Sequence, residues 1–222
     1  MKLVQFIMQS MGLTRKAASE IIKAERVKIN SVLSTSYTST LNPEDKILVD
    51  DKTINLQTKK VYLFHKPKNV IVSSKHDDDR QIIYDLIPEN LHHLKYIGRL
   101  DANSEGLLLL TNDATYKNYI ENPKNNIEKI YKVRCFGIIS KSDLIKLKKP
   151  INVDGIIYHF KHIKLIKPGS NSWYQIILTE GKNREIRKVF EHFGHPVSRI
   201  IRLSVDKFQL DDLKAGELKQ VI

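Results

Sequence analysis

IGRLDANSEGLLLLTNDAT, residues 97–115, places four consecutive leucines directly after a Gly-Arg-Leu-Asp turn. The apolar run is short and is bounded by Gly106 and by Thr111-Asn112-Asp113, which is typical of a buried strand rather than a helix. A loop anchored by such a strand can hold one side chain in a fixed position. Asp101 is therefore the first candidate functional residue, although an isolated aspartate at such a place is more often a turn or capping residue.

The composition indicates a folded chain that does not cross a membrane. The 222 residues are 41% hydrophobic and fit one or two domains. No stretch approaches the ~18 apolar residues that a spanning helix needs, and the first 20 residues lack the apolar centre of a signal peptide. We therefore expect a cytoplasmic protein. The single cysteine, Cys135, excludes an internal disulfide and argues against a thiolate metal cluster.

The charge is strongly positive. Against 25 acidic residues the chain has 37 lysines and arginines, a net charge of +12. Such an excess favours a polyanionic partner, most commonly nucleic acid, provided that the basic residues cluster. They do so twice, between residues 14 and 30 and between residues 182 and 202. The first cluster comprises Arg15, Lys16, Lys23, Arg26 and Lys28, and the second comprises Lys182, Arg184, Arg187, Lys188, Arg199 and Arg202.

Residues 1–56 have the pattern of a small helical and hairpin domain. Apolar residues at helical spacing run up to Gly12, which ends the first predicted helix, and Thr14 is the expected N-cap of the second. Val27 and Ile29 alternate with Lys28 as in a half-buried strand, and LNPEDKILVD (residues 41–50) predicts a turn followed by a strand. Residues 57–60 are a short polar linker.

Residues 61–222 predict an α+β domain around a mixed, largely antiparallel sheet. Short strand patterns dominate, including VIVSS at residues 70–74, and helical patterns are confined to regions such as residues 141–149 and 184–194. In the latter helix Ile186, Val189 and Phe190 form a buried stripe. Arg184 and Arg187 are one turn apart and are expected on the edge of this helix next to the buried stripe. Alternatively, they belong to an ordinary solvated face of the helix.

Three separated runs carry a resemblance to a family: GRLDANSEGLLLLTND (98–113), EKIYKV (128–133) and EGKNREIRKVFEHFGHPVSRIIRLSV (180–205). Together they resemble the RsuA-type ribosomal RNA pseudouridine synthases. GLTRKAASEIIKAERVKIN (12–30) with PEDKILVD (43–50) is similar to the S-four-like RNA-binding domain that precedes the catalytic domain in that family. The sequence departs from the family pattern at Asn69, where a glycine is common, and asparagine tolerates the left-handed backbone that such a turn requires.

The resemblance implies the chemistry and the site. Asp101 matches the catalytic aspartate, Tyr131 the tyrosine packed against the target base, and Arg187 the basic residue that pairs with the aspartate and stabilises its ionised form. A specific uridine would be flipped out and isomerised without a cofactor. Whether the carboxylate attacks the sugar, stabilises its positive charge or removes a proton stays open.

The implied partner is ribosomal RNA or a ribosomal assembly intermediate, bound by a monomer. We expect the RNA to contact the five basic residues of the first cluster and, in the catalytic domain, Arg99, Lys182, Arg184 and Arg202. Two histidine pairs three residues apart lack the further ligands of a zinc site, so no metal is expected.

Other readings remain open. Tyr131 in an alternating strand is most often a core aromatic. The same scaffold could serve a non-catalytic RNA-binding or ribosome-assembly factor, which would bind RNA without modifying it. A nucleoside hydrolase is less consistent with the sequence, because the paired carboxylates of such chemistry are not evident.

Overall fold

Two units make up the chain in the computed structural model, which describes residues 1–76 and 78–222. The first unit holds residues 1–60 together with residues 112–114, and the second holds residues 61–111 and 115–222. Among the described residues, no helix combines the length and the apolar character needed to cross a bilayer.

The first unit packs two helices on a four-stranded antiparallel sheet. Its elements are α1 (Leu3–Met11), α2 (Arg15–Lys23), β1 (Val27–Ile29), β2 (Val32–Leu33), β3 (Ile47–Val49) and β4 (Lys52–Thr53), with the strand order β2-β1-β3-β4. As predicted, α1 ends at Gly12 with φ 67°, and the Thr14 side chain accepts a hydrogen bond from the Ala17 N–H at 3.2 Å. Ile7, Ile22 and Ile47 are at the centre of its core.

The second unit is built on a nine-stranded sheet. Its strands are β5 (Val61–Lys66), β6 (Lys95–Ile97), β7 (Glu105–Thr111), β8 (Lys129–Phe136), β11 (His162–Lys167), β12 (Asn171–Leu178), β13 (Val197–Val205), β14 (Phe208–Gln209) and β15 (Leu218–Gln220). A separate hairpin consists of β9 (Ile151–Val153) and β10 (Ile156–Tyr158). Further along the chain are the α-helices α3 (Ala114–Glu121), α4 (Lys141–Lys146) and α5 (Glu185–His192).

The sheet is mixed and largely antiparallel, which confirms the predicted α+β class. Its order is β11-β12-β8-β13-β7-β5-β15, with β14 added to β13 and β6 added to β7. Only the β13–β7 pair among these described strands is parallel, with Arg202 opposite Gly106. This pair lies next to the loop that carries Asp101.

The leucine run forms the predicted buried strand. Leu107, Leu108, Leu109 and Leu110 are all fully buried in β7. Because successive side chains point to opposite faces of a strand, Leu108 and Leu110 join one apolar cluster and Leu107 and Leu109 join the other. Burial on both faces explains why the run does not alternate with polar residues.

Gly106 allows β7 and β13 to approach closely. Its φ is 109°, and a Cβ at this position would lie 2.3 Å from the Arg202 carbonyl oxygen and 2.5 Å from its backbone nitrogen. No side chain fits there without movement of one strand, so the glycine is required for the parallel pair.

Two local predictions were wrong. VIVSS is not a strand: Ile71 makes a single bridge to Ile82, and Val70 and Val72 are apolar because they are buried in the core rather than because they join the sheet. Helix α5 begins at Glu185, so Arg184 precedes it, with φ 52°. The left-handed backbone of Arg184 interrupts the helix at this point, and the Lys182 N–H donates to Glu185 Oε2 at 3.2 Å in the preceding turn.

Candidate active site

The loop that carries Asp101 is fixed from two sides. The Ser104 N–H donates to the Asp101 carbonyl at 3.0 Å, which closes a tight turn immediately before β7. A second turn supports it: the Asn69 N–H donates to the Ala102 carbonyl at 2.7 Å. Asn69 has φ 68°, the left-handed conformation expected from the sequence. These two hydrogen bonds hold the backbone from which the carboxylate projects.

Arg187 extends from α5 towards this loop. Its Nη1 donates to the Val197 carbonyl at 3.0 Å and its Nη2 to the Asn103 carbonyl at 3.0 Å. The remaining nitrogen, Nε, is buried without a hydrogen-bond partner and lies 4.0 Å from Asp101 Oδ2. Burial lowers the pKa of Arg187, and Arg184 lowers it further, while Asp101 raises it. An arginine stays protonated despite such a shift, so the pair is a cation facing a carboxylate.

Tyr131 forms a wall beside these two residues. It lies in β8, is 7% exposed and pairs with Arg202 of β13. Asp101, Tyr131 and Arg187 line one cleft together with Leu178, Ile186 and Ile200. Tyr131 is therefore a core aromatic and also a surface of the cleft, so the two readings of the sequence are compatible.

The expected RNA-binding residues of the second unit fall into two groups. Arg99, Lys182 and Arg184 are exposed and line the cleft. Lys182 also lies 2.7 Å from Glu180 Oε2. Arg202 differs: it is 2% exposed, and its Nε donates to the Leu107 carbonyl at 2.6 Å. We expected Arg202 to contact a phosphate at the surface, and this prediction is wrong. The pairing of β13 with β7 places its side chain in the interior.

The first unit presents most of its basic cluster to solvent. Arg15, Lys16, Lys23 and Arg26 are exposed, and Lys28 is half-buried. Arg26 makes a bidentate contact to Asp50 at 2.8 and 2.5 Å, and Lys28 Nζ lies 2.6 Å from Asp51 Oδ1. Exposed ion pairs of this kind are weak and screened by salt, so these cations can exchange partners.

Lys66 is a part of the site that sequence reasoning missed. It is fully buried at the end of β5, and its Nζ donates to the Pro67 carbonyl at 2.8 Å and to the Ala102 carbonyl at 3.3 Å. Burial lowers its pKa to about 8, and the attraction of Asp101 and then Glu105 opposes the shift. The available signal was the alternation of β5, which places Lys66 on the same face as Phe64.

A carboxyl pair next to the cleft was also missed. Glu185 is 3% exposed, and burial followed by the nearby Glu180 raises its pKa to about 8. Oε1 of each residue is buried and has no hydrogen-bond partner. Burial, with the charge of Glu180 as the next cause, favours the protonated form of Glu185.

Comparison with known proteins identifies the family. The family described as "RNA pseudouridylate synthase" matches residues 60–192. An "Uncharacterized RNA pseudouridine synthase" of Rickettsia felis is 37% identical over 94% of this chain and 91% of its own length. The "Ribosomal large subunit pseudouridine synthase B" of Bacillus subtilis is 31% identical over 94% of this chain and 86% of its own.

A solved structure shows the same fold over the full length. This "Crystal structure of pseudouridylate synthase" superposes with a TM-score of 0.69 at 27% identity and covers 100% of this chain and 96% of that one. A chain from a structure of an H/ACA ribonucleoprotein bound to a substrate RNA, at 16% identity and a TM-score of 0.53, shares the fold over 69% of this chain. This chain belongs to the RNA pseudouridine synthase family, whose model matches more than half of it.

Proposed function

We propose that this protein isomerises a specific uridine of ribosomal RNA to pseudouridine and that Asp101 is its catalytic carboxylate. The large-subunit name of the B. subtilis relative supports ribosomal RNA as the substrate. A single observation supports the role of Asp101: three residues from separate parts of the chain, Asp101, Tyr131 and Arg187, line one cleft. A turn or capping role for Asp101 would not require the other two.

The geometry suits cleavage of a glycosidic bond. In the reaction the C1′–N1 bond of the uridine breaks, the detached uracil turns, and a C1′–C5 bond forms while the C5 proton is lost and N1 gains one. Breaking the first bond builds positive charge on the ribose, which an ionised carboxylate stabilises or attacks. Asp101 is 34% exposed at its side chain, so a sugar can reach it.

Each partner of Asp101 has a defined task in this proposal. Arg187 orients the carboxylate and stabilises its charge through Nε. Tyr131 offers a flat surface to the uracil and a hydroxyl that can relay a proton. A stacked base cannot enter the cleft, so the target nucleotide is flipped out of its helix or loop.

The remaining basic residues hold the RNA. In the second unit, the exposed Arg99, Lys182 and Arg184 contact phosphates around the cleft. Residues 1–56 act as an S-four-like RNA-binding domain, connected through residues 57–60 to a catalytic domain formed by residues 61–222. Four exposed residues of its basic cluster support this role: Arg15, Lys16, Lys23 and Arg26. Lys16→Glu should weaken RNA binding and flatten its salt dependence, while turnover at saturating RNA stays unchanged.

The decisive experiment replaces Asp101 with asparagine. Asp101→Asn should abolish tritium release from ribosomal RNA labelled at uridine C5, while RNA affinity stays near that of the wild type. Asp154→Asn is the matched control, since Asp154 has φ 52° in the turn between β9 and β10 and asparagine tolerates that conformation. Tritium release by Asp101→Asn at the wild-type rate would disprove the proposed role.

The same assay distinguishes the non-catalytic alternative. An assembly factor would bind ribosomal RNA tightly and release no tritium from free RNA or from assembly intermediates of either subunit. The retained geometry of Asp101, Tyr131 and Arg187 favours the enzyme, because a scaffold without activity gains nothing from a carboxylate aligned with a buried guanidinium.

A further inference from the structure

The nine-stranded sheet leaves part of one face open. Over β7 this face is covered, because Leu107 and Leu109 share an apolar cluster with Ile120 of α3 and Phe208 of β14. Ile201 of β13 packs against the same cluster. From β13 the sheet continues through β8 and β12 to β11 at its edge, and the side chains of these three strands that face the same way are exposed or half-buried.

This open part faces away from the cleft. Tyr131 of β8 lines the cleft, and successive side chains of a strand point to opposite faces, so Lys132 lies on the other side of the sheet. Ile201 is its partner in β13. The Lys132 Nζ lies 4.9 Å from the centroid of the Trp173 ring of β12, which puts both side chains on one surface. We define the open face by six side chains: Lys132, Arg134, Lys164, Lys167, Trp173 and Gln175.

The open face carries cations and no carboxylate. Its four cations are exposed apart from the half-buried Lys132. No aspartate or glutamate occurs in β8, β11 or β12, although the whole chain has 25 acidic residues for its 37 basic ones. Glu128, just before β8, pairs with Lys161. In the part of the chain that the structure describes, none of the four cations makes an ion pair. An ordinary solvated surface mixes both signs of charge, so the single sign favours a polyanionic partner.

The cations form a grid rather than a cluster around one point. Gln175 pairs with Lys132 on one side and with Lys164 of β11 on the other. In the next row, two residues along, Trp173 is between the other two cations. Strands are ~4.8 Å apart, so the cations of one row are separated by roughly 10 Å across a neutral side chain. A small anion needs donors that converge on it, whereas a nucleic acid backbone repeats its charge along its length and matches such a grid.

We propose that the open face binds the phosphate backbone of a second RNA segment, distinct from the segment that enters the cleft. The inference rests on the proposed function, because it takes RNA as the substrate. Trp173, between two cations, offers an aromatic ring to a base or a ribose, which favours RNA over an acidic protein. The cleft and the open face are on opposite sides of one sheet, so the same few nucleotides cannot reach both. The substrate is therefore a large ribosomal RNA or an assembly intermediate rather than an isolated hairpin.

The single tryptophan of the chain, Trp173, reports on the open face directly. An RNA duplex of G and C alone has no uridine for the cleft, and its titration into the full chain should change Trp173 emission in a saturable, salt-dependent way. Lys164→Glu should weaken this binding roughly tenfold and reduce the slope of log affinity against log salt by about one. Lys164→Gln should act in the same direction with a smaller effect. Lys219→Glu makes the same charge change as Lys164→Glu at an exposed position of β15, the other edge strand, and should leave the Trp173 signal unchanged.

Two results would overturn the proposal. One is a duplex that binds without changing Trp173 emission, or whose effect on Trp173 is weakened equally by Lys164→Glu and Lys219→Glu. The other is polyglutamate that changes Trp173 emission as strongly as the duplex does, which would identify an acidic protein as the partner.

Tritium release separates this inference from the proposed function. Lys164→Glu should raise KM for full-length ribosomal RNA, and Lys219→Glu should not. Asp101→Asn should lose tritium release and keep the duplex signal at Trp173. If Asp101→Asn keeps both, the role of Asp101 is refuted and the open face stands. If the wild type releases tritium but the duplex gives no signal at Trp173, the isomerisation stands and the open face is refuted.

Discussion

Arg187 Nε faces Asp101 Oδ2 across 4.0 Å, and it is the one guanidinium nitrogen position in this side chain that is buried without a hydrogen-bond partner. Nη1 and Nη2 are occupied by the carbonyls of Val197 and Asn103. The arginine thus joins the start of β13 to the Asp101 loop and points its remaining donor at the carboxylate. These three contacts require the planar, forked guanidinium of arginine, which lysine lacks.

Arg187→Lys should therefore lower the turnover rate strongly while the protein still folds. Lysine keeps the positive charge but cannot hold both carbonyls and face Asp101 at once. We expect kcat to fall on the order of 100-fold, with a smaller change in KM, since orientation of the carboxylate matters most in the transition state. Single-turnover tritium release measures this, and Lys188→Arg on the same helix is the control. A variant with wild-type kcat would show that charge alone is sufficient.

Lys66→Met should alter how stability depends on pH. The pKa of Lys66 is about 8 in the folded chain and 10.5 ordinarily. Between these values the unfolded chain binds more protons, so stability rises with pH across the window and is lost as pH falls through about 8. The effect of this one group is on the order of 3 kcal/mol.

The measurement is urea unfolding at pH 7.5 and pH 10.5, followed through the single tryptophan, Trp173. The wild type should gain stability over this range relative to Lys66→Met, which lacks the titrating group. Lys164→Met should behave like the wild type. Identical pH profiles for wild type and Lys66→Met would mean that Lys66 titrates normally when folded.

Gly106→Ala should destabilise the second unit by roughly 2–4 kcal/mol. The added Cβ would lie 2.3 Å from the Arg202 carbonyl oxygen, and the residue would keep an unfavourable φ of 109°. Gly169→Ala is the control, because its Cβ would meet no atom closer than 3.5 Å. Urea unfolding checks both variants, and equal midpoints for the two would contradict the close approach of β7 and β13.

Glu185→Gln should also alter how stability depends on pH, with the opposite sign to Lys66→Met. The pKa of Glu185 is raised from 4.5 to about 8, so the folded chain binds more protons between these values and stability falls as pH rises through them. Glutamine keeps an acceptor for the Lys182 N–H and has no charge to lose. The variant should therefore lose less stability than the wild type from pH 5 to pH 8. Glu191→Gln, exposed on the same helix, serves as the comparison, and matching profiles for all three chains would refute the buried proton.

Local patterns in the sequence predicted the elements that depend on neighbouring residues. Gly12 and Thr14 mark helix ends by their own backbone and side-chain chemistry, and both are found where expected. The leucine run predicted a buried strand, which β7 confirms. Each conclusion required only a few adjacent residues.

The wrong and missing predictions share a different cause. Lys66 and Arg202 are buried because of the strands beside them, which no local pattern reveals. VIVSS is apolar because Val70 and Val72 pack in the core, and burial by a sheet or by a loop looks the same in sequence. The start of α5 is set by the left-handed backbone of Arg184, which the helical spacing of the apolar residues does not reveal.

The bond from Arg202 to Leu107 joins residues 95 positions apart. Because β13 and Arg187 come from late in the chain, a ribosome that has only reached β12 has produced a protein in which β7 lacks its parallel partner and Asp101 lacks its guanidinium. At ~5–20 residues per second, several seconds separate the appearance of Leu107 from that of Arg202. A nascent chain thus acquires the Asp101–Arg187 pair only near the completion of the domain.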